Sequence, residues 1–268
     1  MRDNGDRAAM APREARRMFR EGRLTGPTAG MAAGYVQANL VVLPGSAADA
    51  FEAYCGANPK SCPLLERLPS GDPIPRTLAD AADLRTDLPR YRVYASDGSF
   101  EEFFDIGDLW RGDDTAFLLG CSFSFEEALS QAGLVPRHVE EGVNVPMYRT
   151  DRETTPVDPF GGPLVVSMRP IPRDRVDEAY EITRPFARVH GEPVHHGDPA
   201  ALGIVDLGRP DWGDAVTLRD GEVPVFWACG VTSQTAVMGA LRSGAADRVI
   251  THAPGHMFIG DRLHRELA

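Results

Sequence analysis

The chain has 268 residues, of which 43% are hydrophobic and 25% are charged, a composition typical of soluble globular proteins. Its formal net charge of −11 argues against nucleic acid as a partner, because phosphate binding needs a concentrated positive surface. The charge does not exclude a small carboxylate ligand, since a local arginine cluster can bind one in an acidic protein.

The N-terminal residues 1–20 are charged throughout and lack the apolar segment of a signal peptide. No stretch approaches the roughly 18 apolar residues of a membrane span. We therefore expect a cytoplasmic protein that binds no membrane and keeps its cysteines reduced. The sequence does not specify an oligomeric state, and a homo-oligomer is compatible with it.

Strand and helix patterns follow one another along the chain. In chain order we predict a helix at 8–20, a strand at 40–43, a helix at 47–56, strands at 91–95 and 115–119, a helix at 123–131, a strand at 164–168, a helix at 174–186, a strand at 223–228, a helix at 234–242 and a strand at 248–250. The repeated strand–turn–helix units favour an α/β fold with a largely parallel or mixed sheet flanked by helices. We assign 1–144 plus 206–268 to the main domain and 145–205 to a smaller inserted α/β subdomain.

Two strand-to-helix turns share one design. Residues 120–124 (GCSFS) and 229–233 (CGVTS) place thiol, glycine and hydroxyl groups where a helix begins. Helix N-termini favour carboxylates, and ligands of open α/β sheets collect at strand carboxyl ends. The hydroxyl candidates are Ser122, Ser124, Thr232 and Ser233. Simple helix capping is the alternative for each.

Cys121 and Cys229 are candidate nucleophiles, because a helix N-terminus lowers the pKa of a thiol. The alternative is that a small residue packs well at a strand end. Glu126, in the first helical turn after residues 120–124, is a candidate acid or base. It could instead only complement the helix dipole.

The segment 251–257 (THAPGHM) follows a strand and contains His252 and His256. Pro254 and Gly255 make it a loop, so the helical spacing of metal-binding histidines does not apply and we expect no metal. The two histidines are candidate proton carriers, with structural hydrogen bonding as the alternative.

Three further polar residues lie in or at the end of apolar strand patterns. Arg169 could clamp a substrate carboxylate in bidentate fashion or form an ordinary ion pair. Gln37 and Asn39 could orient a substrate through their amides or cap strand ends.

No cofactor is expected from the sequence. It lacks a P-loop, a G-x-G-x-x-G turn after a strand and a G-x-S-x-G elbow. Schiff-base chemistry needs a lysine amine, and Lys60, in a loop with proline and cysteine, is the only lysine.

Several segments, read as strings, resemble the D-glutamate cyclase family, whose bacterial members carry a hydro-lyase label. They are residues 34–40 (GYVQANL), 120–126 (GCSFSFE), 144–148 (NVPMY), 162–170 (GPLVVSMRP) and 251–257 (THAPGHM). The resemblance implies a two-part α/β architecture and a cofactor-independent lyase reaction, the cyclisation of D-glutamate to 5-oxo-D-proline with release of water. A related small amino or hydroxy acid stays open as the substrate.

Within that chemistry, Arg169 and the Thr232/Ser233 turn would bind the carboxylate, and His252 or His256 would carry protons. The turn with Cys121, Ser122 and Ser124 would stabilise the oxyanion. A cysteine-dependent amidase or hydrolase and a non-catalytic carboxylate-binding protein are the competing interpretations. The lyase hypothesis requires that the three distant loops gather around one pocket.

Overall fold

The computed structural model describes residues 4–267. The helices are α1 (Asn4–Ala8), α2 (Pro12–Arg20), α3 (Gly45–Ala57), α4 (Glu126–Gln131), α5 (Arg137–Glu141), α6 (Val176–Thr183) and α7 (Val231–Ser243). The strands are β1 (Tyr35–Pro44), β2 (Leu64–Arg67), β3 (Tyr91–Ala95), β4 (Phe100–Phe103), β5 (Asp114–Gly120), β6 (Met147–Glu153), β7 (Pro163–Pro172), β8 (His195–His196), β9 (Glu222–Ala228), β10 (Arg248–His252) and β11 (Phe258–Leu263). None of the helices within this range combines the length and apolar character that a membrane crossing requires.

The strands form two sheets with helices packed around them. The first sheet has the order β2-β5-β1-β10-β3-β4, with β11 also paired to β1, and the second has the order β6-β7-β9-β8. Within residues 4–267 every named strand pairing is antiparallel. The α/β character with flanking helices is confirmed, but the strands pair antiparallel and do not form the largely parallel or mixed sheet that was expected.

The connection through α3 shows why strand–turn–helix units did not produce a parallel sheet. Strand β1, helix α3 and strand β2 form the expected strand–turn–helix unit, but β5 lies between β1 and β2 and is antiparallel to both. Helix α7 connects β9 of the second sheet to β10 of the first, so it is not a crossover within one sheet. Element order gives the type of each segment, whereas strand direction depends on which distant segment pairs.

The second sheet draws its strands from residues 147 to 228. Strand β9, which lies outside the predicted subdomain 145–205, pairs with β7 from Val166 opposite Ala228 to Pro172 opposite Glu222. The domain division itself stays a prediction.

Strand β1 is the centre of the molecule, and its residues from Val36 to Pro44 are all buried. It has partners on both edges, and both faces are covered, which explains its nearly continuous apolar character. One face packs in a core with Trp227 of the second sheet, and the other packs with α3 and α7. The start of β1, with Gln37 and Asn39, therefore lies beside the turn that follows β5.

The glycines of two helices provide a test of this packing. A Cβ on Gly239 of α7 would lie 2.1 Å from the carbonyl oxygen of Pro159, whereas one on Gly56 of α3 would meet nothing within 4 Å outside its own helix and chain neighbours in the described chain. Gly56→Ala should stabilise the protein by up to about 1 kcal/mol through helix propensity. Gly239→Ala should destabilise it by about 1–3 kcal/mol through overpacking. Urea unfolding measures both, and stabilisation by both substitutions would contradict the close approach of α7 to residues 159–160.

Candidate active site

The two cysteine turns, 120–124 and 229–233, and the histidine-containing loop 251–257 pack against one another. A single buried apolar cluster contains Cys121 and Phe123 from the first turn, Cys229 and Val231 from the second, and Met257 from the histidine-containing loop. Strand β1 brings them together, because it pairs with β5 on one edge and with β10 and β11 on the other. The three loops therefore converge, but they do so in an apolar core, and no residue of 229–233 or 251–257 lines the two cavities of this region.

A fourth segment, residues 28–34, covers this region and was not expected to contribute. The backbone N–H of Thr28 donates to the Gly255 oxygen at 2.8 Å, and Thr28 Oγ1 accepts from the N–H of Met257 at 3.1 Å. The side chain of Gln37 donates to the carbonyl oxygens of Thr28 and Met31 at 3.0 and 3.2 Å. Only its run of small residues before β1 (TAGMAAG) marked this segment in the sequence.

The charged centre of the site is an ion pair between Glu126 and Arg169. Arg169 Nε and Nη2 donate to Glu126 Oε1 at 2.9 and 2.5 Å, and the guanidinium lies 5.5 Å from the ring centroid of Phe125 and 5.3 Å from that of Trp227. Arg169 is fully buried. This is the ion-pair alternative raised for Arg169.

The remaining donors of Arg169 also have protein partners. Nη1 donates to Ser167 Oγ at 3.0 Å and Nη2 to Ser122 Oγ at 2.9 Å. Every guanidinium nitrogen is thus engaged within the protein, which leaves Arg169 to position Glu126 and Ser122 rather than to hold a ligand carboxylate.

Glu126 is a buried carboxylate with one free oxygen. Burial raises the pKa of this carboxyl, but the neighbouring His138 ring and Arg169 guanidinium more than offset this and hold the pKa below the ordinary 4.5. His138 Nε2 lies 3.2 Å from Oε1, without the alignment of a hydrogen bond. Oε2 is buried and has no hydrogen-bond partner among residues 4–267. Glu126 is therefore ionised at neutral pH and can accept a proton or a donor.

Glu126 and Gln37 line one cavity of about 260 Å³, close to the small end of ligand sites. Because both hydrogens of the Gln37 amide are donated to backbone carbonyls, its Oε1 is left as a buried acceptor without a partner in the described part of the chain. Two residues of the cavity lining, which are 5% and 2% exposed, thus each carry a buried acceptor oxygen without a partner among residues 4–267. The other lining residues are Arg7, Ala8, residues 29–35, Phe123, Glu127, Ser130 and Val139.

A second cavity of about 250 Å³ adjoins the first and shares Arg7, Ala29 and Val139 with it. His138 and Asn144 line it. Asn144 Nδ2 donates to the Pro254 oxygen at 3.1 Å, and its Oδ1 is a buried acceptor with no partner within residues 4–267.

Sequence reasoning missed His138 and Arg7. His138 is 1% exposed and stacks on Phe123 with 5.9 Å between ring centroids. It lies in a short helix after a proline, and no motif marks it. Arg7 lies in α1, far from every motif in the sequence.

Asn39 joins the two cysteine turns. Its Nδ2 donates to the Gly120 oxygen at 2.6 Å, and a Cβ on Gly230 would lie only 2.0 Å from that same nitrogen. Asn39 lines neither cavity. Its amide packs the turns together instead of facing a ligand.

Three of the four hydroxyl candidates are tied to backbone groups. Ser124 Oγ accepts from the N–H of Gln37 at 2.9 Å and donates to its carbonyl oxygen at 3.1 Å. Thr232 Oγ1 makes the same kind of pair with Val165, at 3.0 and 3.3 Å. Ser233 donates to a carbonyl of its own turn at 2.7 Å. These three side chains anchor the turns, and neither cavity is lined by them.

The two predicted histidines line neither cavity. His252 is fully buried, its Nδ1 accepts from the N–H of Leu40 at 3.1 Å, and burial lowers its pKa to about 3. His256 Nδ1 lies 3.0 Å from the Pro254 oxygen, and burial lowers the pKa of this side chain as well. Both contacts match the structural alternative, and His138 is the histidine beside Glu126.

The four cysteines are free and buried. Burial raises the pKa of Cys121 well above its ordinary value and that of Cys229 to about 11. Desolvation outweighs the effect of the helix N-termini, so both thiols are neutral at pH 7. Within the described residues no group of three or more His, Cys, Asp or Glu side chains is arranged to hold a metal ion.

Comparison with known proteins places the chain among a group of similar sequences. A family model described as D-glutamate cyclase matches residues 115–261. A Rubrobacter xylanophilus protein named "Putative hydro-lyase" is 58% identical over 253 residues, covering 94% of this chain and 96% of its own. The Bacillus subtilis protein named "Putative hydro-lyase YcsI" is 51% identical over 259 residues, covering 97% of this chain and 99% of its own.

Substitution of Arg169 should destabilise the protein, because the buried carboxylate of Glu126 would lose its ion-pair partner. Arg169→Met should lower the free energy of unfolding at pH 7 by about 3–5 kcal/mol, because Glu126 would lose its main partner. The control Arg173→Met, at an exposed arginine just after β7, should change it by less than about 0.5 kcal/mol. Urea unfolding of the three proteins gives the comparison.

The loss of unfolding free energy that Arg169→Met causes should also depend on pH. In the native protein the lowered pKa of Glu126 gives stability that is present above 4.5 and lost as the pH falls through the folded value. In the variant Glu126 takes up its proton at higher pH, so the deficit should shrink as the pH falls from 7 to below 4.5. A deficit constant across this range would contradict the ion-pair assignment.

The neutral thiols should react slowly. Raising the pKa of Cys229 from 9.0 to about 11 lowers its thiolate fraction by about 100-fold. We therefore expect iodoacetamide at pH 8 to modify Cys121 and Cys229 at least about 100-fold more slowly in the folded protein than in urea, as followed by mass spectrometry. Equal rates in the two states would restore the cysteine-nucleophile interpretation.

Proposed function

The chain belongs to the D-glutamate cyclase family, and on that premise we propose that it is a hydro-lyase that cyclises D-glutamate to 5-oxo-D-proline with release of water. The observation that carries the proposal is the free oxygen of Glu126, an ionised and buried carboxylate on the wall of a cavity of about 260 Å³. A buried acceptor without a partner costs about 1–3 kcal/mol, so such a group is typical of a site that binds a donor.

The acceptors match the ammonium group of an amino acid. Glu126 and Gln37 line the same cavity, and the buried atoms Glu126 Oε2 and Gln37 Oε1 have no hydrogen-bond partners within residues 4–267. An ammonium group offers three N–H donors to such a pair, whereas the hydroxyl of a hydroxy acid offers one. This supports an amino acid over a hydroxy acid as the substrate.

Ring closure needs two protons to move. The ammonium group first loses one proton, the resulting amine nitrogen attacks the γ-carboxyl carbon, and the nitrogen loses a second proton to end as a lactam N–H. The departing carboxylate oxygen gains two protons and leaves as water, and the balance is zero. The reaction therefore needs groups that can take protons from nitrogen and deliver them to oxygen.

Glu126 and His138 can fill these roles together. Their side chains lie 3.2 Å apart, and each lines one of the two adjoining cavities. Glu126 would take the first proton from the ammonium group, and His138 would provide the second proton-binding site. Because the reaction is intramolecular, much of the entropic cost of bringing its groups together is already met by the substrate.

The cysteine-dependent alternative has less support. The raised pKa values of Cys121 and Cys229 leave little thiolate at neutral pH, and neither thiol lines the cavity of Glu126.

Glu126→Gln tests the proposal directly. The substitution keeps an oxygen that can accept from Arg169 but cannot take a proton, so kcat for D-glutamate should fall at least about 100-fold. His138→Gln should lower kcat by about 10-fold or more for the same reason. The assay is mass spectrometry of a product lighter by one water, with folding checked by circular dichroism.

The matched control is Glu101→Gln, at an exposed carboxylate on β4, which should leave kcat unchanged. A Glu126→Gln protein with near-native kcat would overturn the site. A wild-type protein that leaves D-glutamate intact but removes water from another acid would overturn the substrate and leave the site standing.

A further inference from the structure

Arg7 is a half-buried cation between the two cavities, and it takes no part in the proton transfers described above. Its Nη2 donates to the carbonyl oxygen of Pro27. Its Nε is buried and has no hydrogen-bond partner within residues 4–267, and no carboxylate in that range lies within ion-pair distance. We propose that Arg7 binds the α-carboxylate of the substrate, an inference that rests on the proposed function.

The other buried arginines show that such an unpaired state is unusual for this protein. Arg16 lies 2.9 Å from a carboxylate oxygen of Asp261, and Arg137 lies 2.5 Å from one of Glu222. Arg169 likewise forms an ion pair with Glu126. A guanidinium removed from water normally gains a carboxylate or phosphate as compensation. Arg7 is placed to receive that partner from a ligand.

Backbone contacts, rather than its charge, hold Arg7 in position. The carbonyl oxygen of Arg7 accepts from the N–H of Ala32 at 3.0 Å, and that of Ala8 accepts from the N–H of Ala33 at 2.8 Å. These bonds attach α1 to residues 28–34, which form the wall of the first cavity. These bonds fix the main chain, and the bond from Nη2 to the Pro27 carbonyl oxygen orients the guanidinium before any anion binds, which lowers the entropic cost of binding.

The arrangement selects a zwitterion. Glu126 and Gln37 provide acceptors for an ammonium group, and Arg7 provides a cationic fork for a carboxylate in the same cavity. The ligand class is therefore an α-amino acid with both groups ionised. For D-glutamate, this contact leaves the γ-carboxyl free of Arg7 and available for attack by the amine.

The test asks whether the affinity gained from the α-carboxylate of the ligand depends on Arg7. 5-Oxo-D-proline keeps the α-carboxylate, 5-oxo-D-prolinamide replaces it with an uncharged amide, and neither reacts further to lose water. Calorimetry gives their affinities for the wild type, for Arg7→Met and for the control Arg13→Met, at an exposed arginine of α2. Values of kcat/KM for D-glutamate and its α-amide are measured in parallel.

The wild type and Arg13→Met should bind the carboxylate at least 10-fold more tightly than the amide. Arg7→Met should lose about 10- to 100-fold in affinity for the carboxylate and little for the amide, so that the two ligands become similar. An equal loss for both ligands would assign Arg7 a purely structural role and overturn the inference, and so would an unchanged preference.

The same data separate this inference from the proposed function. If the wild type cyclises D-glutamate and Arg7→Met retains the carboxylate preference, only the role of Arg7 fails. If the wild type instead removes water from another α-amino acid, the acid and amide forms of that product replace the pair above. If the wild type neither binds nor converts any α-amino acid, both proposals fail together.

Discussion

The buried pair of Glu126 and Arg169 joins the two halves of the molecule. Glu126 begins α4, which follows β5 of the first sheet, and Arg169 lies in β7 of the second. Their contact at 2.5 Å is therefore also a contact between the sheets. Neither charge could be buried alone, because an isolated ion loses its hydration without compensation. The pair therefore adds a polar contact to the apolar core between the sheets, and the same contact helps to keep Glu126 ionised.

The environment of this pair decides which side chains can do chemistry. Burial leaves the thiols of Cys121 and Cys229 and the imidazole of His252 neutral, because desolvation shifts each pKa away from the charged form. Glu126 is buried as deeply, yet the neighbouring Arg169 guanidinium and His138 ring keep its pKa low and the carboxylate ionised. Residue type alone suggests a nucleophilic cysteine and a proton-carrying histidine, but local electrostatics favours a carboxylate.

The polar groups around the cavities divide into two classes. Ser124, Thr232 and Ser233 satisfy nearby backbone groups and hold the turns in place. Gln37 does the same with its amide hydrogens but leaves its oxygen unpaired. A buried acceptor without a partner is costly. Unpaired acceptors such as the Gln37 oxygen therefore indicate where a ligand would bind.

The sequence by itself determined the type and approximate place of the longer elements, such as β1, α3, β5, β7, β9, α7 and β10, because hydrophobic periodicity and turn residues are local signals. It did not predict β2, β4, β6, β8 or β11. It also marked the two cysteine turns and the histidine-containing loop as candidate parts of the site, and it placed Glu126 among the candidate residues. Only the tertiary structure decided the antiparallel pairing, since β5 inserts between β1 and β2 and no local pattern specifies a partner. It alone decided that Arg169 faces Glu126, and it alone brought His138 and Arg7 to the cavities, because those contacts join segments whose separation along the chain carries no periodic signal.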